Sequence, residues 1–452
     1  MTVAVRPLPG KAREYHFPKF FRHRLANGLN LVIAPVRKLP VVSVIAVIDA
    51  TALDDPHGKE GTAELTAQAL REGTSVRDGL HVTLDLEKLG TSLEAGADWD
   101  STAVSMTVLR DRLDKAFGIF AEVLTSPIFP GDEIERLKAE RLAERMQILA
   151  EPRGLADESF MRFVYADGSR YAEPLSGGSA SVSVVSREDV VDFYRRNYGP
   201  DATTLILVGD ISVEEAVLLG ESAFGGWAGR NEKSRRVADD IARATRAVEI
   251  VAKPDAAQSE LRMGHAGVPR SHPDYFPIVV MNSVLGGLFS SRINLNLREE
   301  HGYTYGASSY YDWRRQSGPF VISTAVQSEV TGEAIAETLR EIDRMRAEEI
   351  TQDELTLATS YLEGVFPIRY ETTSAIAAAL ANLVTFGLPE DYYDTYRANI
   401  TSITTREVLE AAKAHVRPEE LQVVVVGNPD LVRGPVAALT IGPLVVRDPE
   451  ES

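Results

Sequence analysis

Apolar and polar positions along the chain alternate between two periods. Runs 30–34 and 42–49 are β-branched and bounded by Asn27-Gly28, Pro35 and Pro40, which predicts two strands. Residues 62–71 are rich in Ala, Leu and Glu and are followed by Gly73, which predicts a helix with a glycine stop. A strand over 102–109 precedes helices over 111–124 and 132–150. Ser186-Arg-Glu-Asp has the shape of a capping box opening a helix to Asn197. Run 204–208 then reads as a buried strand ending at Gly209-Asp210.

The second half repeats this order. Thr405-Arg406-Glu407 opens a helix as Ser186-Arg187-Glu188 does, an offset of 219 (406 − 187). Run 422–426 ends at Gly427-Asn428 as the earlier strand ends at Gly209-Asp210, an offset of 218 (427 − 209). Asp353-Glu354 follows Ile350 as Asp132-Glu133 follows Ile128, an offset of 221 (353 − 132). Three landmarks at nearly one offset imply a duplicated unit. The expected domains are 15–226 and 247–441, joined by a linker at 227–246 that holds Gly229 and the charged run 230–236. Because 102–109 alternates apolar and polar, we expect an α+β fold in each domain. Its sheet is mainly antiparallel with helices packed on one face, rather than doubly wound.

Composition narrows the function classes. In 452 residues, 66 acidic side chains against 48 basic ones leave a net charge of −18, which argues against a nucleic-acid partner. There is no cysteine, so disulfide frameworks, thiolate zinc sites and cysteine nucleophiles are excluded. The start lacks the pattern of a secretory signal, and the apolar stretch 41–53 is broken by Asp49 and too short to span a bilayer. We expect a cytoplasmic protein with no membrane partner; a periplasmic location would require a leader removed from the chain.

Motifs for chemistry are sparse. No two of the eight histidines stand at i, i+4, so no helix offers paired imidazoles to zinc. His57-Gly-Lys-Glu60 lacks a second histidine and lies in a Gly/Pro/Asp loop. Neither a G-x-S-x-G elbow nor a phosphate-binding P-loop occurs, and Gly286-Gly287 is too sparse for dinucleotide binding.

Taken alone, Gly61-Thr-Ala-Glu64-Leu-Thr-Ala67-Gln68-Ala-Leu-Arg-Glu-Gly73-Thr74 is an amphipathic helix. It also resembles the zinc helix of the pitrilysin, insulinase and mitochondrial-processing-peptidase family, whose active members carry H-x-x-E-H. On that resemblance the first histidine falls on Glu64, the general-base glutamate on Ala67 and the second histidine on Gln68. The third ligand, seventy-six intervening residues further on, falls on Arg145. These are degenerate zinc-site positions. Glu64 is one possible oxygen ligand, Ala67 offers nothing, Gln68 is a poor neutral ligand and Arg145 would repel a cation. The expectation is no metal and no cofactor in this chain.

A second segment, from Val284-Leu-Gly-Gly-Leu-Phe-Ser-Ser-Arg292-Ile through Leu297-Arg298-Glu-Glu-His-Gly302-Tyr-Thr-Tyr305-Gly, resembles the signature of the family's C-terminal half. Leu288 and Ile293 depart from that pattern. Locally, 292–301 predicts a helix stopped by Gly302, and 303–311 a strand. Spacing alone reads as a surface arginine paired with Glu299 or Glu300 and a packed tyrosine. The resemblance implies more: Arg298 and Tyr305 would hold the scissile carbonyl and its oxyanion in a partner's active site. It therefore implies the non-catalytic, substrate-binding subunit of a heterodimeric zinc peptidase. Its partners would be peptides and a homologous subunit bearing H-x-x-E-H and the zinc. The alternative is a structural or assembly subunit of a larger complex, like the core proteins of the cytochrome bc1 complex.

Overall fold

The computed structural model describes residues 14–165, 168–229 and 242–449. Positions 230–241 of the expected linker lie outside the described residues. The chain forms two six-stranded mixed sheets with helices, an α+β fold as expected. The first sheet contains β1 (Phe21–Arg24), β2 (Asn30–Pro35), β3 (Val41–Ile48), β4 (Glu94–Ala97), β5 (Thr102–Leu109) and β6 (Thr203–Gly209), in the order β1-β2-β6-β3-β5-β4. The second contains β7 (Ala247–Ala252), β8 (Gln258–Ala266), β9 (Ala307–Tyr311), β10 (Pro319–Gln327), β11 (Gln422–Gly427) and β12 (Leu444–Arg447), in the order β12-β7-β11-β8-β10-β9.

Five strands superpose in order and direction. β2 runs parallel to β6 as β7 does to β11, and the remaining neighbours are antiparallel. The sixth strand breaks the symmetry. It is β1, antiparallel to β2 from upstream, in one half, but β12, parallel to β7 and beyond residue 441, in the other.

Alternation along the central strands decides what covers each face. In β6, Leu205 and Leu207 face the core of the first half, where helices such as Leu113–Thr125, Arg187–Asn197 and Val213–Phe224 pack. Ile206 and Val208 point the other way and join the core of the second half, together with Ile376, Ala377, Leu380 and Leu383. Those residues sit on the helix Thr373–Phe386, which lies against β3 and β6. The reciprocal arrangement holds on the second sheet. Val423 and Val425 of β11 face their own half, whereas Val424 and Val426 pack with Leu155, Phe160 and Phe163 of the first half's helix Pro152–Val164. Each half's own helices thus cover one face, as expected, and a helix from the other half covers the central strands of the second, leaving Ala103 and Thr107 of β5 exposed beside it.

Polar contacts fix the exchange. Arg262 of β8, buried on all sides, pairs with Asp157 of the visiting helix and with Glu260. Ser43 of β3 bonds Thr373 at 2.9 Å, and Arg315 reaches Asp49 at 2.6 Å and the Thr385 carbonyl at 2.6 Å. Phe160 is 2% exposed and abuts Gly264, where a Cβ would meet both its ring and the Phe320 carbonyl.

Cooperative melting follows from this reciprocity. Phe160→Ala should cost about 3–5 kcal/mol, as for other buried Phe truncations. Because the helix seals the opposite half, calorimetry should show one shifted transition; two separated transitions would count against mutual dependence.

Candidate functional site

The helix Thr62–Ala69 starts on a buried acid. Asp55 accepts the backbone N–H groups of Gly61 and Ala63 at 2.8 and 2.7 Å and pairs with Arg170 at 3.0 Å. Burial pushes its carboxyl up to about 6, against the pull of Arg170 and the two N–H groups. Gly61 holds a left-handed φ of 100°, and a Cβ there would strike the Ser176 carbonyl oxygen, so glycine is required at this entry.

Glu64 and Gln68 lie one turn apart and share a face. Gln68 Nε2 donates to Glu64 Oε1 at 2.8 Å, and the Ala97 N–H of edge strand β4 donates to Oε2 at 2.6 Å. Ala67 is fully buried. Burial pushes the Glu64 carboxyl above its usual range, opposed by Ala97, Arg141 and Gln68. The cation facing Glu64 is Arg141, at 3.4 Å. Arg145 does not come to Glu64: one turn further along the helix Gly131–Ala150, it grips Glu158 through both oxygens at 2.8 Å.

These residues do not fit a zinc ion. Asp98 is near enough for its charge to reach Glu64, but no imidazole joins them in a ligand group among the described residues. A guanidinium supplies the positive charge instead. Arg141 was missed in the sequence because the reading followed the family's ligand position rather than the helix face; it stands at i−4 from Arg145 and so shares that face.

The second segment is held by a dense set of polar ties. The helix Tyr275–Asn282 continues as a π-helical turn over Ser283–Gly287, breaks, and resumes as Arg292–Asn294 and a second π-helical turn, Leu295–Glu300. By length and apolarity Tyr275–Glu300 could cross a membrane, but it is more than half buried and interrupted at 288–291, as suits a core element. Gly286 presses on β9 so closely that a Cβ would meet Ser309. Asn282 bonds Ser309 twice, and Asn294 accepts the Ala307 N–H at 2.9 Å. Buried Arg292 grips both oxygens of Glu354 at 2.7 and 3.0 Å.

Arg298 and Tyr305 project from this anchored frame. The Arg298 side chain is one-third exposed, lies 4.6 Å from the Phe289 ring centroid, and approaches Glu299 at 3.5 Å. Half of the plain surface reading is therefore realised. The other half is not: Tyr305 is 92% exposed and unpacked. Gly302 ends the helix with a left-handed φ of 68°. The expected strand 303–311 begins only at Ala307, since Thr304 turns back to bond Gly306 and both are held by Thr324. Among the described residues no contact joins Arg298 to Tyr305, or either to Glu64.

Comparison with known proteins accords with this plan. The model for Insulinase (Peptidase family M16) matches residues 32–175, and that for the Peptidase M16 inactive domain matches 185–362. The chain belongs to this peptidase family. It is 21% identical over 404 residues to an uncharacterised zinc protease of Streptomyces coelicolor, covering 87% of this chain and 86% of the relative. It is 24% identical over 340 residues to another from Rickettsia bellii, covering 75% and 81%. Among solved structures, a peptidase M16 inactive domain from Pseudomonas fluorescens superposes with a TM-score of 0.85 at 24% identity, covering 90% of this chain and 98% of that one. A protease from Helicobacter pylori gives 0.82 at 19%, covering 90% and 99%. These structures share the fold.

The Arg292–Glu354 pair yields a test of the frame that carries Arg298. Arg292 and the Thr351 N–H hold the Glu354 carboxyl down at about 2, against its burial and far below the ordinary 4.5. A depressed folded-state value means stability that is complete above about pH 4.5 and is lost as the pH falls toward 2. Glu354→Gln should cost about 3 kcal/mol at neutral pH by stranding a buried guanidinium. Urea midpoints should show the gap from wild type narrowing between pH 5 and pH 3; a constant gap would contradict the assignment.

Proposed function

We propose that this chain is the non-catalytic, substrate-binding subunit of a heterodimeric zinc peptidase, and that Arg298 and Tyr305 complete the active site of a homologous catalytic partner. The observation that carries the reading is the contrast between the halves. Where active relatives hold zinc, this chain has Glu64 bonded to Gln68, Ala97 and Arg141, with Ala67 in the general-base position. In the other half Tyr305 stands 92% exposed on a segment fixed by Asn294 and Thr324. An aromatic side chain presented on a rigid frame without internal packing suits a donor to another molecule's site.

In that complex the partner's zinc would activate water within an enclosed chamber. This chain's part is to bind and orient. The guanidinium of Arg298 offers a charged fork of donors, and the Tyr305 hydroxyl a neutral donor, to the carbonyl oxygen as negative charge develops on it. Backbone pairing at a sheet edge would hold peptides with little dependence on their side chains.

Steady-state kinetics of the co-expressed pair tests the proposal. The isolated chain should cleave no peptide, and the pair should. Tyr305→Phe should lower kcat by roughly 10²-fold while KM changes little, because an oxyanion donor acts on the transition state. Arg298→Lys should also lower kcat, and size exclusion should show both variants still paired. An unchanged kcat in Tyr305→Phe refutes the role.

A further inference from the structure

In the second half, His272, Asp274 and His415 meet where the loop entering the helix Tyr275–Asn282 touches the end of the helix Thr405–His415. The two helices pack on one another. His415 Nε2 lies 2.7 Å from Asp274 Oδ2, and His272 Nδ1 lies 4.0 Å from the same oxygen. The imidazole rings meet edge to face with centroids 4.8 Å apart, and one donor atom from each residue falls within 4.8 Å of the others.

Two features set this cluster apart from an ordinary surface ion pair. Asp274 occupies the N-cap position of its helix yet makes no side-chain capping bond, although aspartate there usually accepts a first-turn N–H. Its carboxylate is turned instead toward the imidazoles. His415 is the last residue of its helix, where the unpaired carbonyls favour positive charge nearby. Burial and the neighbouring His415 also hold the His272 imidazole below its ordinary value, against the pull of Asp274.

We propose that His272, Asp274 and His415 bind one divalent transition-metal ion of the zinc class, which clasps these two helices together. Two imidazoles and a carboxylate form a nitrogen-rich donor set suited to zinc and poorly suited to magnesium. Tetrahedral zinc bonds of about 2.1 Å place ligand atoms roughly 3.4 Å apart. The His415–Asp274 pair would open by about 0.7 Å from 2.7 Å, and His272 Nδ1 would close on Asp274 by about 0.6 Å from 4.0 Å. His272 would exchange the bond its Nδ1 accepts from the Asp274 N–H for the metal. The His272 and Asp274 side chains are 26% and 48% exposed, which leaves a way in and a position for water, while His415 is buried. This site is separate in sequence and chemistry from Glu64–Gln68, and does not depend on the peptidase reading.

The test titrates the chelator-treated full chain with zinc chloride, and in parallel with magnesium chloride, reading heat and melting temperature. One equivalent of zinc should bind and magnesium should not. At free zinc a hundred times Kd, the unfolding equilibrium should shift roughly 100-fold toward the folded state. His272→Ala should fold without metal and lose zinc affinity by at least tenfold, together with the visible bands of the cobalt(II) form. Glu64→Gln should bind as wild type. His415→Ala should also lose binding, and if it fails to fold, His272→Ala still decides. No saturable zinc binding by the wild-type chain, or undiminished binding by His272→Ala, overturns the proposal.

Discussion

Each sheet in this protein has the central strands of its second face covered by a helix that the other half lends it. Leu155, Phe160 and Phe163 seal the side of the second sheet that bears Val424 and Val426, and Ile376, Leu380 and Leu383 seal the side of the first that bears Ile206 and Val208. Withdrawing either helix would expose the apolar centre of a sheet face, at roughly 25 cal/mol for every Å² of apolar surface exposed. The exchange therefore fixes how the halves sit on each other. Arg262 adds direction to an otherwise apolar seat. Once buried, its guanidinium must find Asp157 and Glu260, so a helix displaced along the sheet would strand a charge.

On this common plan the two segments differ in what their polar side chains do. In the first, the helix that resembles a zinc helix has closed on itself. Glu64 takes an amide, a backbone N–H and a guanidinium, and Arg145 is spent on Glu158. In the second, polar side chains do structural work behind an exposed front. Asn282, Asn294, Arg292 and Asn296 are all engaged with the surrounding scaffold, including Ser309, Ala307, Glu354, Glu337 and Glu341. Tyr305 is left free of packing.

The local elements were legible because they rest on nearest-neighbour chemistry. Ser186 caps Asp189 as the capping-box spacing implies, Gly302 terminates its helix in the left-handed region, and the β-branched runs near 30, 42, 204 and 422 all became strands. The duplication was legible as well, since one offset near 219 recurs in caps and strand ends. The strand expected from 303 starts four residues late because side-chain bonds among Thr304, Gly306 and Thr324, the last distant in sequence, take the place of strand pairing there.

The sequence by itself determined the α+β duplication, the unusual residues at Glu64, Ala67 and Gln68, and the pairing of Arg298 with Tyr305 as candidates. The duplication follows from landmarks that recur at one offset, whereas the reading of Glu64, Ala67, Gln68, Arg298 and Tyr305 follows from the resemblance to the family's two signatures, since spacing alone reads as an amphipathic helix, a surface arginine and a packed tyrosine. Tertiary structure alone decided that the two halves exchange helices, since a face of β6 or β11 that reads as apolar does not name what will cover it. It alone set Arg141 rather than Arg145 against Glu64, because a helix of that length presents several arginines and packing selects the turn. And it alone brought His272 and Asp274 to His415, residues more than 140 positions apart whose meeting depends on two helices packing end to start.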